Sequence, residues 1–259
     1  MRTAIVMLGL LILTPILGGI VLVAALFNVA DRPGGVYDWA PRVWARSLLW
    51  LGGTTVRVHD DGLVHDDTPR VFVSNHVSWF DVLALASVLP RYRFVGKAEL
   101  LRVPLFGAAA QRAAMIPIER ENRKSAFESY RKAGESIRAG ASVVVFPEGT
   151  RGTSYTLRPF KKGPFVLAVA AHVPVVPTIV HGTIHVLPRG SLWLRRGTVD
   201  IHLLQPIETE GLEYEDRDGL SREAHRRMAD ALFSLYDVPR STPASPVHPQ
   251  SAPSLAPSR

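Results

Sequence analysis

The order of apolar and polar positions divides the chain into three stretches. From Ala4 to Ala30 no position carries a charge. As one helix this run would be roughly 40 Å long, enough to cross a hydrocarbon core of about 30 Å. Pro15, Gly18 and Gly19 fall in its middle, so it reads either as one kinked spanning helix or as two short helices in a re-entrant hairpin. The middle stretch begins at Thr54. Short apolar runs predict strands at Val56–His59, Val71–Ser74, Arg93–Gly96, Met115–Ile118, Ser142–Phe146, Val175–Val180 and Val199–Leu204. Helical periodicity lies between them at Val82–Leu89, Lys124–Ala139, Pro164–Ala171 and Ser221–Tyr236. Strands alternating with helices predict an α/β fold with a mainly parallel central sheet flanked by helices. From residue 238 onward prolines recur among Ser and Ala, the composition of a disordered tail. The expected organisation is a hydrophobic anchor and interfacial helix over 1–53, an α/β domain over 54–237 and a tail over 238–259.

The first stretch has two readings. A secretory signal would need a charged start and a cleavage site; Arg2 and the small residues around Ala25 and Ala30 supply minimal versions of both. The length of the run and its single preceding basic residue favour a retained membrane anchor. Arg32, Arg42, Arg46 and Arg57 follow it, which places the folded part on the cytoplasmic side. Tyr37–Leu51, "YDWAPRVWARSLLWL", mixes Trp39, Trp44 and Trp50 with Arg42 and Arg46; it suits a membrane interface, or a helix packed on the domain.

Charge and composition narrow the partners. A formal charge of +7 and a pI near 10 point to something anionic. No long basic block occurs, so a nucleic acid is not expected. The absence of cysteine removes disulfides, thiolate nucleophiles and cysteine-held zinc.

The chemistry is concentrated where apolar runs end in polar residues. In "VFVSNHVSWFDVLALA", Val71–Ala86, a predicted strand stops at Asn75 and His76, and Asp81 follows five residues after the histidine. Ligands of open α/β sheets bind beyond the carboxyl ends of strands. An imidazole there can take a proton, and a carboxylate on its far nitrogen fixes the tautomer. Ser78 and Asp81 also fit a helix capping box, in which Asp81 does no more than start a helix. A Gly-x-Ser-x-Gly elbow is missing, so the attacking hydroxyl can belong to the substrate. In "VVVFPEGTRG", Val143–Gly152, a second strand ends in a turn where Gly149 lets the backbone approach a ligand. Thr150 and Arg151 suit phosphate oxygens, with Glu148 orienting Arg151 or a substrate hydroxyl; an ordinary turn with a surface arginine is the plain alternative. Lys97 and Arg120 stand at two more strand ends. A parallel sheet gathers all of these on one edge: one base and several cations, as a phosphate-bearing substrate with a reactive hydroxyl requires.

These blocks resemble the glycerolipid acyltransferase family, specifically 1-acylglycerol-3-phosphate acyltransferases. Asn75, His76 and Asp81 match its Asn-His-x-x-x-x-Asp block, Phe146 to Arg151 its Phe-Pro-Glu-Gly-Thr-Arg block, and the residues around Pro174 and Pro177 its last apolar block. The resemblance covers roughly Val71 to Val180. In the second block Ala114 and Pro117 replace the usual Gly and Phe, while Ile118 and Arg120 remain. The resemblance implies transfer of an acyl chain from acyl-CoA or acyl carrier protein to the sn-2 hydroxyl of lysophosphatidic acid, giving phosphatidic acid. His76 would be the general base and Asp81 its orienting partner. Lys97, Arg120, Glu148, Gly149, Thr150 and Arg151 would serve the acceptor. It implies no metal or redox cofactor, and membrane lipids as surroundings. The alternatives are the same chemistry on another lyso-lipid, such as lyso-ornithine lipid, and a non-catalytic lipid-binding membrane protein.

Overall fold

The computed structural model describes residues 1–66, 68–118 and 123–241. Arg120 and the tail beyond residue 241 lie outside them. All seven expected strands form: β1 (Thr54–His59), β2 (Val71–Ser74), β3 (Tyr92–Lys97), β4 (Met115–Ile118), β5 (Ser142–Val145), β6 (Val175–His181) and β7 (Gly197–Leu203). They build one sheet in the order β1-β7-β6-β2-β5-β3-β4. Every neighbouring pair is parallel except β6 and β7. β2 and β5 are central and buried at every position, which is why they read as unbroken apolar runs.

Eight α-helices accompany the sheet in the described residues: α1 (Arg2–Leu26), α2 (Val36–Gly52), α3 (Trp79–Val88), α4 (Phe106–Ala113), α5 (Arg123–Arg138), α6 (Gly163–Ala171), α7 (Thr183–Val186) and α8 (Arg217–Tyr236). One core lies between the sheet and α5, α6 and α8, around Val71, Val143, Phe165 and Met228. The other lies between the opposite face and α2 and α3, around Phe72, Phe80, Leu85 and Val176.

The N-terminal run is a single helix, not a hairpin; Pro15 sits inside α1 without ending it. By length and composition α1 could cross a membrane. Its buried residues, Val6, Gly9, Leu17, Gly18 and Val21, extend along most of its length. They face α2 and α4: a Cβ on Gly9 would come within 2.5 Å of Leu51 Cδ1, and one on Gly18 within 3.4 Å of Ala109 Cβ. The opposite stripe, including Leu8, Leu11, Ile16 and Val23, is exposed. The tryptophan-rich helix α2 divides its roles. Ala45, Leu48 and Leu49 are buried. Arg42 and Arg46 donate to the carbonyls of Leu89 (3.0 Å) and Ser87 (2.8 Å), satisfying the end of α3. Trp44 Nε1 donates to Thr14 Oγ1 (3.0 Å), while Trp39 and Trp50 face outward.

The antiparallel strand β7 is locked to α8 by aromatic rings. His181 stacks on Tyr236 with centroids 3.6 Å apart, and the Tyr236 hydroxyl lies 2.6 Å from His202 Nε2. His202 in turn stacks on His59 at 4.3 Å. Burial holds His181 and His202 below their usual pKa of 6.5. As pH falls through that value the unfolded chain takes up protons that these folded imidazoles refuse, so stability is lost toward acid. We expect the thermal midpoint to fall between about pH 7 and pH 5.5, and His181→Phe, which keeps the stack without a titrating ring, to flatten that fall. Thermal denaturation across this range checks it; an unchanged slope in His181→Phe would show that the loss arises elsewhere.

Candidate active site

Three adjacent strands, β6, β2 and β5, deliver the site at their carboxyl ends. β2 ends at Ser74, and Asn75 then acts as a side-chain peptide. Its Nδ2 donates to the Val180 carbonyl (2.9 Å) and its Oδ1 accepts from Val180 N–H (2.8 Å), so the β2–β6 pairing continues through the amide. The main chain of residues 76–78 is thereby released from the ladder and turned toward Asp81.

Asp81 is wholly buried and accepts four hydrogen bonds. Oδ2 accepts from His76 Nδ1 (2.8 Å), Val77 N–H (2.7 Å) and Ser78 N–H (2.8 Å). Oδ1 accepts from Thr183 Oγ1 (2.5 Å). Acceptor-only bonding is that of an ionised carboxylate. Ser78 Oγ accepts from Phe80 N–H (3.2 Å), which completes a capping box on α3. One oxygen of Asp81 therefore both caps the helix and holds the imidazole. With Nδ1 donating to Asp81, the neutral ring of His76 carries its free lone pair on Nε2. The ring is clamped from one side by Phe146, 4.0 Å away and inclined by 17°.

The turn after β5 also holds the backbone of His76. Glu148 Oε1 accepts from the His76 backbone N–H (3.1 Å), and Gly152 N–H donates to the His76 carbonyl (2.7 Å). Gly149 has φ +83°, the left-handed conformation this turn needs. Glu148 pairs with Arg158 (Nε to Oε2, 3.0 Å) and not with Arg151, one of the two partners the sequence offered it beside a substrate hydroxyl. The reason is topological: the chain folds back so that Arg158 also donates to Thr150 Oγ1 (3.0 Å). Burial raises the pKa of Glu148, with Arg158 and the His76 N–H pulling it back. Arg151 lies with its guanidinium 4.8 Å from the centre of the Trp79 ring, which occupies a face of the group, and its in-plane N–H donors have no partner among the described residues. Lys97 ends β3 and is exposed on the same edge of the sheet. No cluster of metal-ligating side chains occurs among the described residues.

Thr183, Arg158 and Tyr155 carried no signature in the sequence. Gly182 makes the position of Thr183: with φ +94° and a Cβ that would stand 2.2 Å from the Thr198 carbonyl oxygen, only glycine lets the chain leave β6 and turn back toward Asp81. The Tyr155 hydroxyl accepts from Ile184 N–H (3.2 Å) and supports the same turn; burial raises its pKa.

A buried carboxylate, an imidazole whose Nε2 has no protein partner among the described residues and a sheet edge carrying Lys97 and Arg151 suit acyl-transfer chemistry. The acyltransferase family model matches residues 55–181. A 1-acyl-sn-glycerol-3-phosphate acyltransferase beta of Homo sapiens is 32% identical over 204 residues, 78% of this chain and 73% of that one. The chloroplastic 1-acyl-sn-glycerol-3-phosphate acyltransferase BAT2 of Brassica napus is 36% identical over 198 residues, 76% of this chain and 56% of its own. The chain thus spans about half the length of the chloroplastic relatives. A lyso-ornithine lipid O-acyltransferase of Rhizobium meliloti (strain 1021) is 37% identical over 150 residues, 58% of this chain and 49% of its own. The crystal structure of the acyltransferase PlsC from Thermotoga maritima shares the fold, with a TM-score of 0.74 at 24% identity over 91% of this chain and 98% of that one. The chain belongs to the acyltransferase family.

Thr183→Val removes one donor from a buried carboxylate, and a hydrogen bond to a charged group is worth about 1.5–3 kcal/mol. We expect a loss of stability of that order, most of it restored in Thr183→Ser. Denaturant unfolding of the two variants decides it; equal loss in both would mean that methyl packing, not the hydroxyl, matters at this position.

Proposed function

We propose that the protein transfers an acyl chain from an acyl thioester, carried by coenzyme A or acyl carrier protein, to the sn-2 hydroxyl of 1-acylglycerol-3-phosphate. The product is phosphatidic acid. The observation that carries this reading is the His76–Asp81 pair, with Nδ1 bound at 2.8 Å and Nε2 free of protein partners among the described residues. Nε2 accepts the hydroxyl proton as the oxygen attacks the thioester carbonyl. The buried carboxylate of Asp81 stabilises the imidazolium, which returns the proton to the departing thiolate. No metal or redox cofactor takes part in this scheme. Arg151, held on Trp79, and Lys97 on the same sheet edge are the described cations that suit the acceptor phosphate, and Arg120 joins them by family analogy. Glu148 and Arg158 set the shape of the turn and the position of the His76 backbone.

The substrates are lipids, and α1 supplies the attachment. Its buried stripe runs most of its length against α2 and α4, so in this arrangement the helix lies along the domain with its exposed stripe toward lipid. The catalytic domain then faces the cytoplasm, where acyl thioesters are made. A second acceptor is favoured by one observation, the 37% identity to a lyso-ornithine lipid enzyme; the same base would serve it, without a phosphate for Arg151.

The test is a panel of lyso-lipid acceptors offered with labelled acyl thioester to the purified protein in lipid. Phosphatidic acid should be the main product. His76→Ala should abolish transfer, and Arg151→Lys should keep charge but lose the two-pronged geometry, weakening use of the phosphate acceptor about tenfold. Preference for a lyso-lipid without phosphate, unchanged in Arg151→Lys, would replace the first acceptor by the second. Full turnover by His76→Ala would end the general-base scheme.

A further inference from the structure

The segment after α7, residues 188–196, is a loop that displays large apolar side chains. Its neck is closed by Arg195 N–H donating to the Val186 carbonyl (2.9 Å). Its tip is tied to the start of α1: Thr3 Oγ1 donates to the Leu192 carbonyl (2.9 Å) and accepts from Leu194 N–H (3.0 Å). Between these ties Leu192 is 82% exposed and Trp193 76%. Two such side chains on a fixed backbone, facing water, mark a surface that meets something apolar. Arg189, Arg195 and Arg196 are exposed around them. None of the three pairs with a carboxylate among the described residues, and the segment itself contains no acidic residue.

We propose that this loop is a second membrane contact, in which Leu192 and Trp193 enter the acyl region of a leaflet while the three arginines meet anionic headgroups. It rests on the membrane attachment proposed above. Lipid is favoured over a protein partner by the pairing of an apolar tip with unpaired cations, the make-up of an interfacial element. Continuity argues the same way, because the tip is hydrogen-bonded to the helix whose exposed stripe begins at Ala4 and Ile5. The loop is also wired to the site. Ser78, the cap of α3, donates through Oγ to the Leu187 carbonyl (2.7 Å), and Arg189 Nη1 donates to the Arg151 carbonyl (2.6 Å). An inserted tip therefore fixes the mouth beside Arg151 at the headgroup level, where a lyso-lipid acceptor can reach it without leaving the leaflet.

The chain has no cysteine, so a single introduced one reports a single place. The full-length Trp193→Cys variant, labelled with an environment-sensitive fluorophore, is mixed with vesicles of phosphatidylcholine with and without phosphatidylglycerol. Glu210→Cys, exposed just beyond the bridge from Ile207 to the amino end of β6, is the control on the opposite edge. Insertion predicts a blue shift at 193, stronger with phosphatidylglycerol, and none at 210. Leu192→Ser/Trp193→Ser should lower transfer to acceptor in vesicles by roughly tenfold and leave transfer to detergent-dispersed acceptor unchanged. A probe at 193 that stays in water while the protein sediments with vesicles overturns the loop contact and leaves the role of α1 standing. Failure to sediment with any vesicle removes both. A dimer in solution that the double variant dissociates gives the patch to a second copy and overturns the proposal.

Discussion

The arrangement of this protein depends on the carboxylate of Asp81. Leaving such a group buried and unpaired would cost several kcal/mol, so its four donors are a structural requirement before they are a catalytic one. Those donors come from the turn after β2, from the imidazole and from the turn after β6. Satisfying one anion brings together segments that are distant in sequence, and His76 is oriented as part of the same solution. Helix initiation and ring orientation are thus one interaction.

Much of the fold was legible because central parallel strands are buried on both faces and leave uninterrupted apolar runs; all seven appear where the pattern put them. α4 was not legible. "FGAAAQRA" is only eight residues long, about two turns, too short for its period to stand out, and its small residues serve close approach to α1. The antiparallel sense of β7 left no trace either, since its alternation reads equally well in both directions. At the site, His76, Asp81 and the turn at Glu148 announced themselves by sitting together at strand ends. Thr183 and Arg158 did not, because a lone threonine or arginine has no pattern and its partner is supplied only by the sheet order. The pairing of Glu148 with Arg158 instead of Arg151 is the same lesson: adjacency in sequence named the wrong arginine.

The first helix shows how composition can be silent about geometry. An uncharged run of this length is compatible with a span, a hairpin or a helix lying flat. In the folded chain the run is one helix with close contacts at Gly9 and Gly18, where missing side chains let α2 and α4 approach along it. Arg42 and Arg46, which looked like interfacial cations, are used to close the end of α3.

The amide clamp of Asn75 on Val180 and the bond from Thr183 to Asp81 join residues 105 and 102 positions apart. Contacts of that span cannot form until the intervening chain exists and β6 has docked beside β2. A nascent chain that has produced everything up to the turn after β5 already holds the histidine, the aspartate and the glutamate, yet lacks the three bonds that set their geometry. Competence therefore arrives late in synthesis, with the strand that closes the gap between β2 and β7, and an abandoned fragment carries the chemistry of the site without its shape.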